Sequence, residues 1–155
     1  MEKLEWKEKG AGLEFQRRLP NGISFGSRVA KDDESVAMEM WLTNGTDQPL
    51  TGLRSQVCVM LKGLIGFHTQ RRRQQVVREP FVAVKADESD RWIITAWKPI
   101  KRAWTNPPVP CMHADPIFPD CPPGKTVRVT GGLWFYEGDD VESKIKSLAI
   151  PNAPD

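Results

Sequence analysis

Apolar and polar side chains alternate with a period of two over much of this chain, the pattern of a strand with one face buried. Leu13, Phe15 and Arg17 alternate with Glu14, Gln16 and Arg18, and Ile23, Phe25, Ser27 and Val29 resume the alternation after Pro20-Asn21-Gly22. Asn-Gly between two such runs predicts a hairpin, because both residues tolerate the positive φ of a tight turn. Val36, Met38, Met40 and Leu42 then share one side of a run whose other side carries Ala37, Glu39, Trp41 and Thr43, and Asn44-Gly45-Thr46 ends it. Residues 54–62 predict a further strand with Val57, Val59 and Leu61 on one face and Cys58 and Met60 on the other. Residues 81–85 and 91–97 predict two more, joined across Asp87-Glu88-Ser89-Asp90. In the last and longest, residues 125–137, Val127, Val129, Leu133 and Phe135 oppose Arg128, Thr130, Trp134 and Tyr136. Gly131-Gly132 in its middle predicts a bulge or a bend.

One helix is predicted near the C-terminus. Asp139 or Asp140 can cap it, Val141, Ile145 and Leu148 fall on one face, and Pro151 stops it. Short strands at this spacing with one terminal helix predict an all-β fold, an antiparallel β-sandwich of immunoglobulin-like or jelly-roll kind. No repeat, low-complexity tract or linker divides the chain, so residues 1–155 are expected to form a single domain.

Charge narrows the partners. The chain carries 22 basic and 20 acidic residues, a net charge of +2, whereas a nucleic-acid binder is expected to show a basic excess or stripe. The dense basic run Arg71-Arg72-Arg73, flanked by Gln70, Gln74 and Gln75, reads as a solvated loop, with a phosphate-contacting patch as the alternative. Nucleic acid is therefore not expected as a partner. No apolar stretch approaches the ~20 residues needed to span a bilayer, so no membrane partner is expected either. The opening residues Met1-Glu2-Lys3-Leu4-Glu5-Trp6-Lys7 lack the apolar segment of a signal peptide, which makes the cytoplasm the default compartment.

The densest chemistry lies between Pro107 and Gly124. Seven prolines fall in these eighteen residues, and proline fixes φ and cannot donate to a ladder, so the segment is expected to be a long ordered connection anchored by Ile117 and Phe118. It carries Cys111, His113, Asp115, Asp120 and Cys121. Thiolate and imidazole are the preferred zinc ligands, which makes Cys111, His113 and Cys121 candidate ligands, with His68 or Cys58 completing the set from another strand. Three cysteines cannot all pair within one chain. A Cys111–Cys121 disulfide and free buried thiols are the competing readings. A Cys111–His113 nucleophile pair is disfavoured by the absence of an evident orienting group.

The second signal is aromatic. Trp41, Trp134 and Tyr136 fall opposite the aliphatic positions of their strands, and Trp97 and Trp104 flank Lys98-Pro99-Ile100-Lys101-Arg102. Trp97, Trp104, Trp134 and Tyr136 on one sheet face would suit a carbohydrate, since ring faces stack on the apolar faces of sugars. The alternative is that these rings form a second core layer, because tryptophan is highly buried on average.

Two stretches carry a resemblance. Residues 41–53, from Trp41-Leu42-Thr43-Asn44-Gly45 to Gly52-Leu53, resemble the strand–turn–strand text of many bacterial sandwich domains. Residues 91–138, with Pro110-Cys111-Met112-His113-Ala114-Asp115-Pro116 and Phe118-Pro119-Asp120-Cys121, are similar to uncharacterised bacterial β-sandwich proteins. The resemblance implies the fold and transfers no activity. No phosphate-binding glycine loop, Gly-x-Ser-x-Gly elbow or His-Glu-x-x-His occurs, so whether the protein is an enzyme stays open. Two functional expectations of different class follow: a non-catalytic carbohydrate-binding module presenting Trp97, Trp104, Trp134 and Tyr136, and a zinc-type metal-binding protein or enzyme using Cys111, His113, Cys121 and His68. A structural, homo-oligomerising domain pairing through exposed edge strands is the third.

Overall fold

A computed structural model describes residues 4–68, 74–106 and 109–154, so the Arg71–Arg73 run lies outside the described residues. The period-two segments pair as expected. Strands β1 (Lys7–Lys9), β2 (Gly12–Arg18), β3 (Ser24–Lys31) and β4 (Ser35–Thr43) form an antiparallel meander. Its Pro20-Asn21-Gly22 turn is closed by Leu19 N–H to Ile23 O at 2.8 Å, with Gly22 at φ 88°. After β5 (Cys58–Met60) come β6 (Gln75–Arg78), β7 (Phe81–Lys85), β8 (Arg91–Lys98), β9 (Ile100–Thr105), β10 (Cys111–Pro116) and β11 (Thr126–Glu137). Eight strands join one sheet in the order β1-β2-β3-β4-β11-β8-β7-β6, and three form a second sheet in the order β5-β10-β9. The result is an all-β antiparallel sandwich with one short C-terminal helix, its strands divided eight to three.

The two faces of the large sheet bury different things. On the inner face, Val82, Val84, Ile93, Trp97 and Val129 pack against Met112, Ala114 and Phe118 of the small-sheet side, with Met38, Met40 and Leu42 half-buried at the margin. Each such aliphatic side chain, fully buried, contributes about 1.5–3 kcal/mol. On the outer face, Phe81, Ala83, Trp92, Ile94 and Trp134 pack under α1 (Val141–Ser147) through Val141 and Ile145. Asp140 caps that helix by accepting from Ser143 N–H at 2.9 Å, as the pattern predicts.

Three expectations change. Gly131 and Gly132 make no bulge: β11 pairs with β4 and β8 in unbroken register through both. They make room for indoles instead, since a Cβ on Gly131 would sit 2.5 Å from Trp97 Cδ2 and one on Gly132 2.4 Å from Trp134 Cη2. The strand expected over 54–62 shrinks to Cys58–Met60, preceded by an isolated bridge between Arg54 and Ile117. The segment after Pro110 is not a connection but β10, the central strand of the small sheet, buried at all six positions. Its prolines stand before Cys111 and from Pro116 onward, so the stretch between keeps every N–H it needs to pair on both sides.

Candidate metal centre

Alternation along β10 sorts its side chains. Met112 and Ala114 point into the core between the sheets, and Cys111, His113 and Asp115 therefore share the opposite face. Pairing decides what meets them there. His113 stands opposite Cys58 of β5 and Trp104 of β9, Asp115 opposite Arg102, and Cys111 opposite Met60. A register shift between Asp115 and Pro116 leaves Lys101 as the extra residue of β9, a bulge that ends regular pairing beside the site.

One ligand atom each from Cys58, Cys111 and His113 lies within 4.8 Å of the other two. Cys111 Sγ is 3.1 Å from His113 Nε2. The imidazole is 2% exposed and lies flat under the Trp104 indole, ring centroids 3.9 Å apart and planes 9° from parallel. Its other nitrogen, Nδ1, is buried without a hydrogen bond and faces Asp115 Oδ1 at 4.0 Å. That carboxylate is held from three sides: Oδ1 accepts from Val57 N–H at 3.0 Å, and Oδ2 from Arg102 Nε at 2.7 Å and Trp104 Nε1 at 2.9 Å. Arg102 also lies over the Trp104 ring, 4.8 Å from its centroid.

Burial governs the protonation of these groups. Desolvation pushes the Cys111 thiol up to about 11, helped by the neighbouring Cys58, against a smaller opposing hydrogen bond from Asn106. Desolvation also holds His113 below its ordinary value, with Asp115 and the Val57 backbone pulling the other way. A protonated thiol beside a neutral imidazole is a weak nucleophile, because the thiolate is the reactive form. The same pair suits a metal ion, which takes neutral imidazole and displaces the thiol proton.

The candidate ligands do not all converge. Cys111 and His113 do, and Cys58 joins them. Cys121 is buried elsewhere, its Sγ donating to Lys125 O at 3.1 Å beside the bridge between Leu50 and Cys121. All three cysteines are free, so the Cys111–Cys121 disulfide is not formed. His68 is exposed, with Nδ1 3.9 Å from Asp87 Oδ2, on the wall of a separate cavity with Arg91. The orienting group that sequence reasoning did not see is Asp115. Its signal was present in Cys111-x-His113-x-Asp115, three polar ligand-type residues at strand spacing with apolar Met112 and Ala114 between them.

The four aromatic candidates do not form one face. Trp97 is 2% exposed in the inner core and Trp134 is 3% exposed under the helix, on opposite sides of the large sheet. Both are wall material rather than platform, because a sandwich with a helix on its back has two cores to fill. Trp104 belongs to the small sheet and spends its ring on His113. Tyr136 is half-buried at the edge of the helix-side cluster, with Lys144 Nζ 5.9 Å from its ring centroid.

No family model and no curated protein matches this chain. Among solved structures it is similar to a human-microbiome protein described as a kojibiose phosphorylase, at 9% identity and a TM-score of 0.56, over 86% of this chain and 19% of that one. It is also similar to the Slr1438 protein of Synechocystis sp. PCC 6803, at 8% identity and a TM-score of 0.55, over 87% of this chain and 66% of that one. The chain thus spans about a fifth of the first and 66% of the second. Among the described residues, no helix is long and apolar enough to cross a membrane. At these identities the likeness establishes a shared sandwich fold and nothing finer.

Proposed function

We propose that this protein binds a transition-metal ion of zinc type through Cys58, Cys111 and His113. The observation that carries the proposal is the convergence of two sulfurs and one imidazole nitrogen within 4.8 Å, from two paired strands. Two thiolates and an imidazole form a soft donor set that suits zinc over calcium or magnesium. Asp115 Oδ1 lies 4.0 Å from His113 Nδ1, too far for a hydrogen bond but on the side where metal sites place the carboxylate that orients a ligating imidazole, and Nδ1 has no hydrogen bond. Cys121 and His68 have no part in it.

Competitive titration of the reduced protein with zinc against a chromophoric chelator tests this. One equivalent bound by the wild type, lost in Cys111→Ser and His113→Ala and kept in Cys121→Ser, is the expected result. Equal affinity in all four proteins would sink the proposal.

A carbohydrate reading keeps one place in the molecule. The Tyr136 ring belongs to the helix-side face of its strand, whereas Phe135 of the same strand, 68% exposed, lines an open cavity of about 380 Å³ with Ile65, Phe67, Arg91 and Glu137. The fold likeness to a protein described as a kojibiose phosphorylase supports asking whether a sugar enters it. Affinity electrophoresis in polysaccharide gels should show retardation that Phe135→Ala removes, and unretarded wild-type protein on every gel would end this reading.

A further inference from the structure

We infer that the metal ion is divalent and is held with one coordination position open toward solvent, on the Cys58 side, for a small exogenous Lewis base such as water, an anion or a thiol. This rests on the Cys58–Cys111–His113 site proposed above and deepens it.

The count of donors is the first support. Among the described residues, no fourth Cys, His, Asp or Glu joins the three. The Asp115 carboxylate, 4.0 Å from His113 Nδ1, has both oxygens already committed to Val57, Arg102 and Trp104. Zinc fills four positions, and where the protein supplies three ligands the fourth falls to water or substrate.

Charge is the second. Two thiolates and a neutral imidazole around a divalent ion sum to zero, whereas a monovalent ion would leave one negative charge uncompensated. A site in which Cys111 and His113 are each 2% exposed favours the neutral complex, since an unpaired buried charge costs far more than a neutral group. Arg102 does not alter the sum, because Asp115 already balances it.

Direction is the third. Trp104 closes the site over the His113 ring, while β10 and the core close it from beneath. Cys58 is exposed, and Met60, two residues along on the same face, is 53% exposed. The side open to solvent is therefore the β5 side. Met60 stands opposite Cys111 and is the one group there whose thioether could close the sphere instead.

Cobalt-substituted full-length protein tests the inference, because the visible bands of a thiolate-bound cobalt ion respond to its fourth ligand. Addition of azide, and separately of imidazole, should shift those bands saturably while cobalt stays bound, and Met60→Leu should leave the starting spectrum unchanged. Bands indifferent to both probes but altered by Met60→Leu would overturn the open position and leave the metal site standing. A protein that develops no thiolate–cobalt absorption would overturn the site and the open position together.

Discussion

Cys111 and Cys121 come from the same proline-flanked stretch and are both buried free thiols, yet they sit in unlike surroundings. Cys121 ends at a backbone carbonyl, Lys125 O, beside an isolated bridge, so its sulfur serves the local turn. Cys111 faces an imidazole nitrogen at 3.1 Å and a second thiol within 4.8 Å, on a strand whose outward residue beyond that imidazole is a carboxylate, Asp115. Burial is common to both and decides nothing. What separates a packing cysteine from a ligand is which side chains the sheet register sets beside it, and here the pairing of β10 with β5 does so.

The sharpest way to break the comparison is to exchange the roles. Cys111→Ser is expected to weaken zinc binding by more than the roughly 10–100-fold that loss of a supporting group costs, while Cys121→Ser leaves it unchanged. Equilibrium titration measures both, and equal losses would mean that Cys111 has no special standing. Next in size is Asp115→Asn, which keeps the shape but removes the charge facing His113 Nδ1. An affinity loss of about 10–100-fold is expected, with the thiolate–cobalt bands retained, and thermal unfolding will show whether the holds on Arg102 and Trp104 are kept.

Metal-free protein sharpens the contrast through pH. The Cys111 thiol is raised in the fold, so the folded state holds its proton more tightly than the unfolded chain. Its contribution is complete below the ordinary value of 9.0 and is lost as pH rises toward about 11. His113 is lowered in the fold, so its neutral form stabilises above its ordinary 6.5 and the unfolded chain gains protons preferentially as pH falls below that. Urea midpoints should therefore fall at both ends, and the alkaline fall should flatten in Cys111→Ala and the acid fall in His113→Ala. Identical profiles in the variants would remove these two groups from the account. The smallest effect is expected for His68→Ala. Its imidazole is 61% exposed and outside the ligand cluster, so zinc affinity and stability should both hold within about 0.5 kcal/mol.

How far this was legible in the sequence follows from where the period of two survives. It survives in β4 and β11, whose one-sided aliphatic rows predict both strand and facing, and in β2 and β3, where it predicts the hairpin, whereas β7 and β8 read as strands but are apolar on both faces, so their facing had to come from the structure. The cap at Asp140 and the helical spacing of Val141 and Ile145 were equally plain. It fails in β9, where the extra Lys101 puts Ile100 and Ala103 on the same core three residues apart, so the alternation cannot be read without the bulge. In β10 the pattern was intact but masked by neighbours: prolines on both sides suggested a connection, though none falls between Cys111 and Asp115. Cys58 stood beside His68 as a candidate to complete the set, and the choice between them could not be read, because the meeting of Cys58 with His113 depends on a pairing across 55 positions that no local pattern encodes. Trp134 falls opposite the aliphatic row of its strand as its alternation predicts, but Trp97, expected beside it on one face, lies in the inner core, and the helix that covers Trp134 turns the expected platform into the second core layer that was the alternative.

X-ray absorption at the zinc edge, on protein loaded with one equivalent, tests the central claim most directly. Two sulfur scatterers at ~2.3 Å with nitrogen or oxygen scatterers at ~2.0–2.1 Å, falling to one sulfur in Cys58→Ser, are the predicted result. A shell without sulfur, or a sulfur count unchanged in Cys58→Ser and lowered in Cys121→Ser, would contradict it.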